Sequence, residues 1–254
     1  MTDNHYIPSD RDILIIPDVH GRRFWEKAVT DHPDMPVVFL GDYLDPYSYY
    51  EHISITKSIK NFRSILEFKK ENPLRVTLLL GNHDVHYFSE DFDDSRKDFR
   101  NEGLIRELFM ENLALFRIAV HTTAGDQSIL LSHAGVIRQW FLETFPQEDF
   151  NDACKVCHLV NAPLSDREHL IGFMRNHLDP VPVSRRGDVI FGSIVWADEL
   201  EHFIQAENPP PYFQIFGHTQ QLSDPIITAS YADLDCRRAF ILTAGGDILK
   251  ASES

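Results

Sequence analysis

Cysteine is scarce, with 3 residues in 254. An odd and small number excludes the disulfide framework of a secreted mini-domain. Long hydrophobic runs are absent as well: IVWA, LLL and FILTA are strand-sized, far short of a membrane span. The opening stretch MTDNHYIPSDRD is polar and mixed in charge, without the apolar centre of a signal peptide. A reducing, cytoplasmic location is therefore expected. Glycine (12) and proline (14) follow no period, which excludes collagen-like and repeat architectures. Positive charge is short, with 24 Lys+Arg against 39 Asp+Glu and a net charge of −15. Such a surface repels phosphate backbones and anionic lipid, excluding non-specific nucleic-acid binding and membrane association. It does not exclude a single phosphoryl group, because bound divalent cations invert the local field. Nothing in the composition indicates an oligomeric state.

What is present is ordinary globular material, 43% hydrophobic and 25% charged, enough for one domain spanning 1–254. Residues 12–17, 37–40 and 75–80 read as short buried strands, each followed by a polar turn. Helices are expected over 24–31, 51–71 (with Ile55, Ile59, Phe62 and Leu66 on one face) and 99–115 (around Leu104, Leu108 and Leu115). Residues 116–135 read as a hairpin and 137–178 as mostly helical. The segment VIFGSIVWADELEHF reads as a strand running into a helix. Short strands close the chain. This order gives an α/β fold, two sheets packed together with helices outside, and 137–207 as a helical cap-like insertion.

Five strands end in short polar signatures: Asp18-Val19-His20-Gly21, Gly41-Asp42-Tyr43-Leu44-Asp45, Gly81-Asn82-His83-Asp84, His133-Ala134-Gly135 and Gly217-His218-Thr219. Each delivers a hard oxygen or an imidazole to a strand's carboxyl end, where α/β sites assemble, beside a glycine that permits close approach. Asp18, His20, Asp42, Asn82, His133 and His218 form a mixed O/N set without thiolate, suited to Mn, Fe, Zn, Co or Ni. Six ligands exceed one tetrahedral site and fit two divalent ions sharing a carboxylate. Singly, each motif is what an ordinary turn would show; five in order are not.

The order D-x-H-G, G-D-x-x-D, G-N-H-D, H-A-G, G-H resembles the calcineurin-like metallophosphoesterase superfamily. It is most similar to its phosphoprotein phosphatase and symmetrical diadenosine-tetraphosphatase branch, with anchors from about Ile13 to Ala244. Trp196-Ala197-Asp198 resembles that branch's W-[SA]-D segment. The resemblance implies a metallophosphoesterase-type two-sheet β-sandwich. It implies Asp18 and His20 on a first metal, Asp42 bridging, and Asn82, His133 and His218 on a second, with manganese the foremost candidate. It implies hydrolysis of a phosphate ester or anhydride by a metal-bridged hydroxide. His83 would be the general acid and Asp45 its orienting partner, with Asp84 the alternative. The substrate would be a small phosphorylated compound, a nucleotide or a phosphoprotein.

The branch continues G-D-x-x-D with Arg-Gly, whereas this chain has Pro46-Tyr47. A bidentate arginine is not replaced by a tyrosine. Arg22, Arg23, Arg138, Arg185 and Arg186 are the candidates to approach from elsewhere, Arg138 foremost. Tyr43, Tyr47, Tyr49 and Tyr50 stand in that region, with Tyr47 a candidate substrate contact and packing the reading for the cluster. His86 reads by default as a surface histidine, with a place at the rim of the site as the alternative. Gln220 stands where other superfamily members carry a second histidine. Cys154-Lys155-Val156-Cys157-His158 spells the haem-attachment pattern, but in a helix-like stretch it reads as packing. The rival readings are a nucleotide pyrophosphohydrolase, a serine/threonine phosphatase, and a metal-binding scaffold without turnover.

Overall fold

The computed structural model describes residues 5–8, 10–92 and 96–251. Three of the apolar runs become β1 (Ile13–Ile16), β2 (Val37–Phe39) and β3 (Val76–Leu79), paired in parallel with Leu14 opposite Val37 and Val37 opposite Val76. Leu14, Ile16, Val37, Phe39 and Leu78 join the core under the helices, whereas Ile13, Ile15, Val38 and Leu79 join the core between the two sheets. Burial on both faces is why these strands read as unbroken apolar runs rather than alternating ones. The helices under which they pack include α1 (Phe24–Asp31), α3 (Ile55–Glu71) and α5 (Glu102–Glu111).

The first sheet has six strands in the order β11-β10-β1-β2-β3-β4, with β4 (Phe116–Arg117) at one edge and β10 (Phe240–Leu242) and β11 (Ile248–Lys250) antiparallel at the other. The second has five in the order β5-β6-β7-β9-β8. Its hairpin β5 (Ala119–Ala124) and β6 (Gln127–Ser132) is followed by β7 (Phe213–Phe216), parallel to β6, then β8 (Ile226–Ile227) and β9 (Tyr231–Asp233). This is the two-sheet α/β sandwich with flanking helices that the sequence implies.

The stretch 137–207 contributes α6 (Arg138–Thr144), α7 (Ala153–Asn161), α8 (Arg167–Phe173), a π-helical turn over Met174–Leu178, and α9 (Glu199–Gln205). Helix α7 packs on β5 and β6. Asn161 ties it down, its Oδ1 accepting from Ile118 N and its Nδ2 donating to Ala119 O, both at 2.7 Å. The Cys154/Cys157 pair lies on this helix with Cys157 in the core and Cys154 and His158 exposed, an arrangement for packing rather than for clasping a cofactor. No helix among the described residues is long and apolar enough to cross a membrane.

Three expectations need correction. The helix expected over 51–71 is two: α2 (Ser48–Glu51) stops before His52, whose φ of 55° is left-handed, and α3 restarts after the Ser54 cap. The helix expected over 99–115 is shorter and turned, with Leu104 exposed and Ile105, Leu108 and Phe109 buried. The strand expected before Trp196 does not form. Trp196 and Ala197 donate back to Ser193 O at 2.8 and 2.7 Å, so the chain turns on itself there, and a Cβ on Gly192 would meet Trp196 O at 2.6 Å.

Candidate metal centre

The ends of β1, β2, β3, β6 and β7 meet at one place. The turn after β1 is locked to the turn after β2 by His20 N to Asp42 O at 2.7 Å and Gly21 N to Tyr43 O at 3.0 Å, and Gly217 N donates to His133 O at 2.8 Å. His20, Asp42, Asp45 and His218 all have left-handed backbone, with φ of 43°, 54°, 53° and 71°. L-residues adopt this region at a cost of about 1–3 kcal/mol each, and such residues concentrate at functional sites. Two glycines make room. A Cβ on Gly81 would lie 2.2 Å from Asp42 Oδ1, and one on Gly217 would lie 2.3 Å from Asp18 Oδ1.

Helix α4 (Asn82–Val85) begins at the third signature, and its Asp84 is the staple of the site. The Asp84 carboxylate accepts from Gly81 N and Asp42 N at 2.8 Å and from Tyr43 N at 3.1 Å. It fixes two turns to each other, so its place as the alternative partner of His83 is corrected.

The six expected ligands are brought together. His20 Nε2 lies 3.4 Å from Asp42 Oδ2 and 3.9 Å from Asp18 Oδ2. Ligands each about 2.0–2.2 Å from one ion stand roughly 3–4 Å apart, so this trio has the spacing of a shared cation. Asn82 Oδ1 lies 3.0 Å from both His133 Nε2 and His218 Nδ1, and His133 Nε2 lies 3.6 Å from Asp42 Oδ1. Asp42 therefore faces both groups. His20 and His133 turn their Nδ1 atoms to Leu44 O and Leu40 O, each at 2.8 Å, which fixes the rings and leaves Nε2 to the site. Burial, then His83, Arg96 and Arg22, holds the His20 pKa well below its ordinary value; burial, then Arg185 and His133, does the same to His218. Neutral imidazoles are what a metal requires. Burial and the Asp42 charge push Asp18 up, against the pull of His133, and His218 Nε2 is buried with no hydrogen-bond partner. A buried carboxyl resisting its own charge beside imidazoles held neutral fits a cation-binding pair of sites.

His83 and Asp45 form the second half of the site. His83 Nδ1 lies 3.0 Å from Asp45 Oδ2, and His83 N donates to Asp42 Oδ1 at 2.9 Å. Burial alone would raise the Asp45 carboxyl, but hydrogen bonds from His83 and His86 hold it well below the ordinary carboxylate range. Burial opposes the charged form of His83, yet Asp42 and Asp45 leave its pKa raised, with Arg96 working against them. His86 was expected at the surface; it is buried, with Nε2 2.8 Å from Asp45 Oδ2, and Tyr87 donates its hydroxyl to the other carboxylate oxygen. Asp45, His83 and His86 are close enough to hold an ion of their own, as are Asp18, His20 and Asp42.

Arg138, the foremost arginine candidate, is not brought to the site. Its guanidinium lies 4.7 Å over Phe150 and 3.5 Å from Asn151, because it starts α6 on the face turned to that neighbour. Arg23 is exposed and paired with Glu26 at 2.6 Å. Arg22 donates to Asp18 O at 3.2 Å, and Arg185 pairs with Asp198 at 2.6 Å and donates to Thr219 at 2.9 Å. The residue that the motifs did not indicate is Arg96. Its Nη2 lies 2.5 Å from His83 Nε2, its Nη1 donates to Asp45 O at 3.0 Å, and its Cζ stands 4.0 Å over the Tyr47 ring. Tyr47 in turn lies edge-on to His20 at 5.1 Å. Of the other tyrosines, Tyr43 is core, stacked on Phe62 at 5.1 Å, Tyr50 is exposed, and the Tyr49 side chain lies outside the described residues. Trp196 meets His218 edge-on at 5.6 Å, and Gln220, with its amide oxygen toward Arg237, accepts at 2.7 Å.

A sequence model of calcineurin-like phosphoesterases matches residues 11–222. A probable serine/threonine-protein phosphatase of Encephalitozoon cuniculi (strain GB-M1) is 26% identical over 203 residues, 76% of this chain. The chain spans 40% of the length of that relative. A cold-active protein-tyrosine phosphatase of a psychrophilic Shewanella species superposes with a TM-score of 0.55 at 12% identity, covering 98% of this chain and 82% of that one. A protein serine/threonine phosphatase from Saccharomyces cerevisiae, with similarity to human phosphatase PP5, gives 0.52 at 14% identity, covering 99% and 85%. At these identities the likeness is one of fold.

Proposed function

We propose that this chain, which belongs to the calcineurin-like phosphoesterase family, hydrolyses a phosphate ester or anhydride at a dinuclear metal centre. The observation that carries this reading is the convergence of five strand ends on one buried cluster in which Asp42 faces both metal-holding groups. Asp18, His20 and Asp42 would hold one divalent ion, and Asn82, His133 and His218, with Asp42 shared, a second, manganese being our choice for both. When bound, the ions supply positive charge for the phosphoryl oxygens and a water acidified toward neutral pH.

The chain's own residues do the rest. His83 Nε2 delivers the proton to the leaving oxygen. Asp45 accepts from Nδ1 and so presents Nε2 to the substrate, and His86 and Tyr87 hold the Asp45 carboxylate in place. Arg96, braced on Tyr47 and the Asp45 carbonyl, exchanges its contact with His83 for the phosphoryl oxygens and stands in for the arginine absent after Asp45. Trp196 and Arg185, from the 137–207 stretch, wall the His218 side and are the means by which that stretch would influence specificity. The named phosphatase relative makes a phosphoprotein one substrate to test, beside small phosphate esters.

The test is turnover of an aryl phosphate with added Mn²⁺ by wild type and His83→Asn. The wild type is expected to hydrolyse it, and His83→Asn to lose about 10²–10⁴-fold in kcat with its metal content unchanged. Full activity in the variant removes His83 as the acid; an inert, metal-free wild type removes the phosphoesterase reading.

A further inference from the structure

Beside the metal centre, the structure assigns a subsite for a second phosphate of the same substrate, an inference that rests on the phosphoesterase reading above. A cavity of about 470 Å³ is lined by Arg22, Arg23, Lys57 and Lys60, together with uncharged residues that include Ile53 and Asn61. Among the described residues no carboxylate lines it, in a chain whose net charge is −15. Arg22 is paired with Glu51 and Arg23 with Glu26, so Lys57 and Lys60 are the cations of this wall that an anion in the cavity would offset.

Arg22 is common to this cavity and the metal centre. Its Nη1 donates to the backbone oxygen of Asp18 at 3.2 Å and its Nε to Glu51 at 3.0 Å. Its side chain is 10% exposed, and its Nη2 is buried with no hydrogen-bond partner. Lys57 and Lys60 lie one turn apart at the start of α3, both exposed, and neither makes an ion pair with a described residue. Tyr47 connects the two places, with Arg22 Cζ 5.5 Å from its ring and Arg96 Cζ 4.0 Å from it. A cationic row therefore runs from the His83 imidazole through Arg96, Tyr47 and Arg22 into the cavity.

The cavity has the size of a small-ligand pocket, roughly 300–1,000 Å³, and the Arg22, Lys57 and Lys60 side chains on its otherwise largely apolar wall supply donors for a phosphate. The substrate class it fits is a small bisphosphate or polyphosphate, one phosphoryl group at the metals and the other among Arg22, Lys57 and Lys60. The cavity under α6, by contrast, is lined by Trp140, His177 and Phe191 and includes none of the metal-centre residues.

The experiment compares alkane-α,ω-diol bisphosphates of increasing tether length with the matching alkyl monophosphates, in the Mn²⁺-loaded protein. At a suitable tether the bisphosphate should exceed the monophosphate in kcat/KM by about tenfold or more. In Lys57→Glu/Lys60→Glu that ratio should fall to about one, and in Lys57→Gln/Lys60→Gln to an intermediate value. Monophosphate turnover with no bisphosphate advantage at any tether overturns the subsite and leaves the phosphoesterase reading standing. So does an advantage that survives charge reversal. A wild type that hydrolyses neither series overturns both.

Discussion

Arg96 carries the proposed phosphate grip, since Pro46-Tyr47 stand where the resembling phosphatase branch has Arg-Gly. Its guanidinium is held by Tyr47 and the Asp45 carbonyl at the His83 nitrogen from which a proton would leave. Arg96→Ala is expected to lower kcat/KM for a phosphate ester by about 10²–10³-fold, and Arg96→Lys to restore only part, since a point charge lacks the planar fork. Kinetics of the two variants, with metal content measured alongside, check this; wild-type efficiency in Arg96→Ala would place the phosphate contact elsewhere. The convergence of the six candidate ligands was legible because each follows an apolar strand and sits against a glycine or a partner motif. Arg96 was not, because it stands in an acidic, strandless run and only the fold brings it back to Asp45. His86 carries a readable signal for the site: three residues after His83, it falls on the same side of the turn. Asp84 looked like a second orienting acid, but three backbone amides claim its carboxylate.

Among the elements, the parallel strands and the helical character of 137–178 were legible, and the segment before Trp196 was not. Buried parallel strands are continuous apolar runs, so β1, β2 and β3 fall within a residue or two of where the pattern puts them. The segment before Trp196 has the same composition, yet it turns at Ser193 because Gly192 lets the chain fold back on itself. How α9 meets the site was equally hidden. His202 on that helix is buried, stacks on Phe216 at 4.3 Å and bonds Ala134 O at 2.8 Å, beside the turn that carries His133. Burial pushes its pKa down to about 4, against the Ala134 and Asp198 contributions. The unfolded chain takes up this proton near pH 6.5 and the folded chain only near 4, so stability falls as pH falls through that window, by on the order of 1.4 kcal/mol per unit. His202→Asn should flatten that part of the acid limb in a plot of Tm against pH. Equal slopes from pH 6.5 to 4 in both proteins would show that His202 titrates no differently when folded.

For the whole molecule, whose net charge is −15, a few of the acids lie where a charge is hardest to bear. Asp18, Asp42, Asp84, Asp233 and Asp235 are all buried in the region of the strand ends. Burial pushes the Asp233 and Asp235 carboxyls well up, with Asp18 adding to both, and one Asp235 oxygen has no hydrogen-bond partner. Without cations such a cluster opposes folding; two divalent ions would offset it and stabilise the native state by mass action. Under the proposed reading, Arg96, Arg22 and the cavity beyond them would draw a small phosphorylated substrate inward past an acidic surface. The central claim, a dinuclear centre organised on Asp42, is tested most directly by titrating Mn²⁺ into chelator-treated protein while bound metal and Tm are followed together. The account predicts two ions per chain and a rising Tm, with Asp42→Asn retaining at most one weakly held ion. A wild type that binds no ion and keeps an unchanged Tm at saturating Mn²⁺ would contradict it.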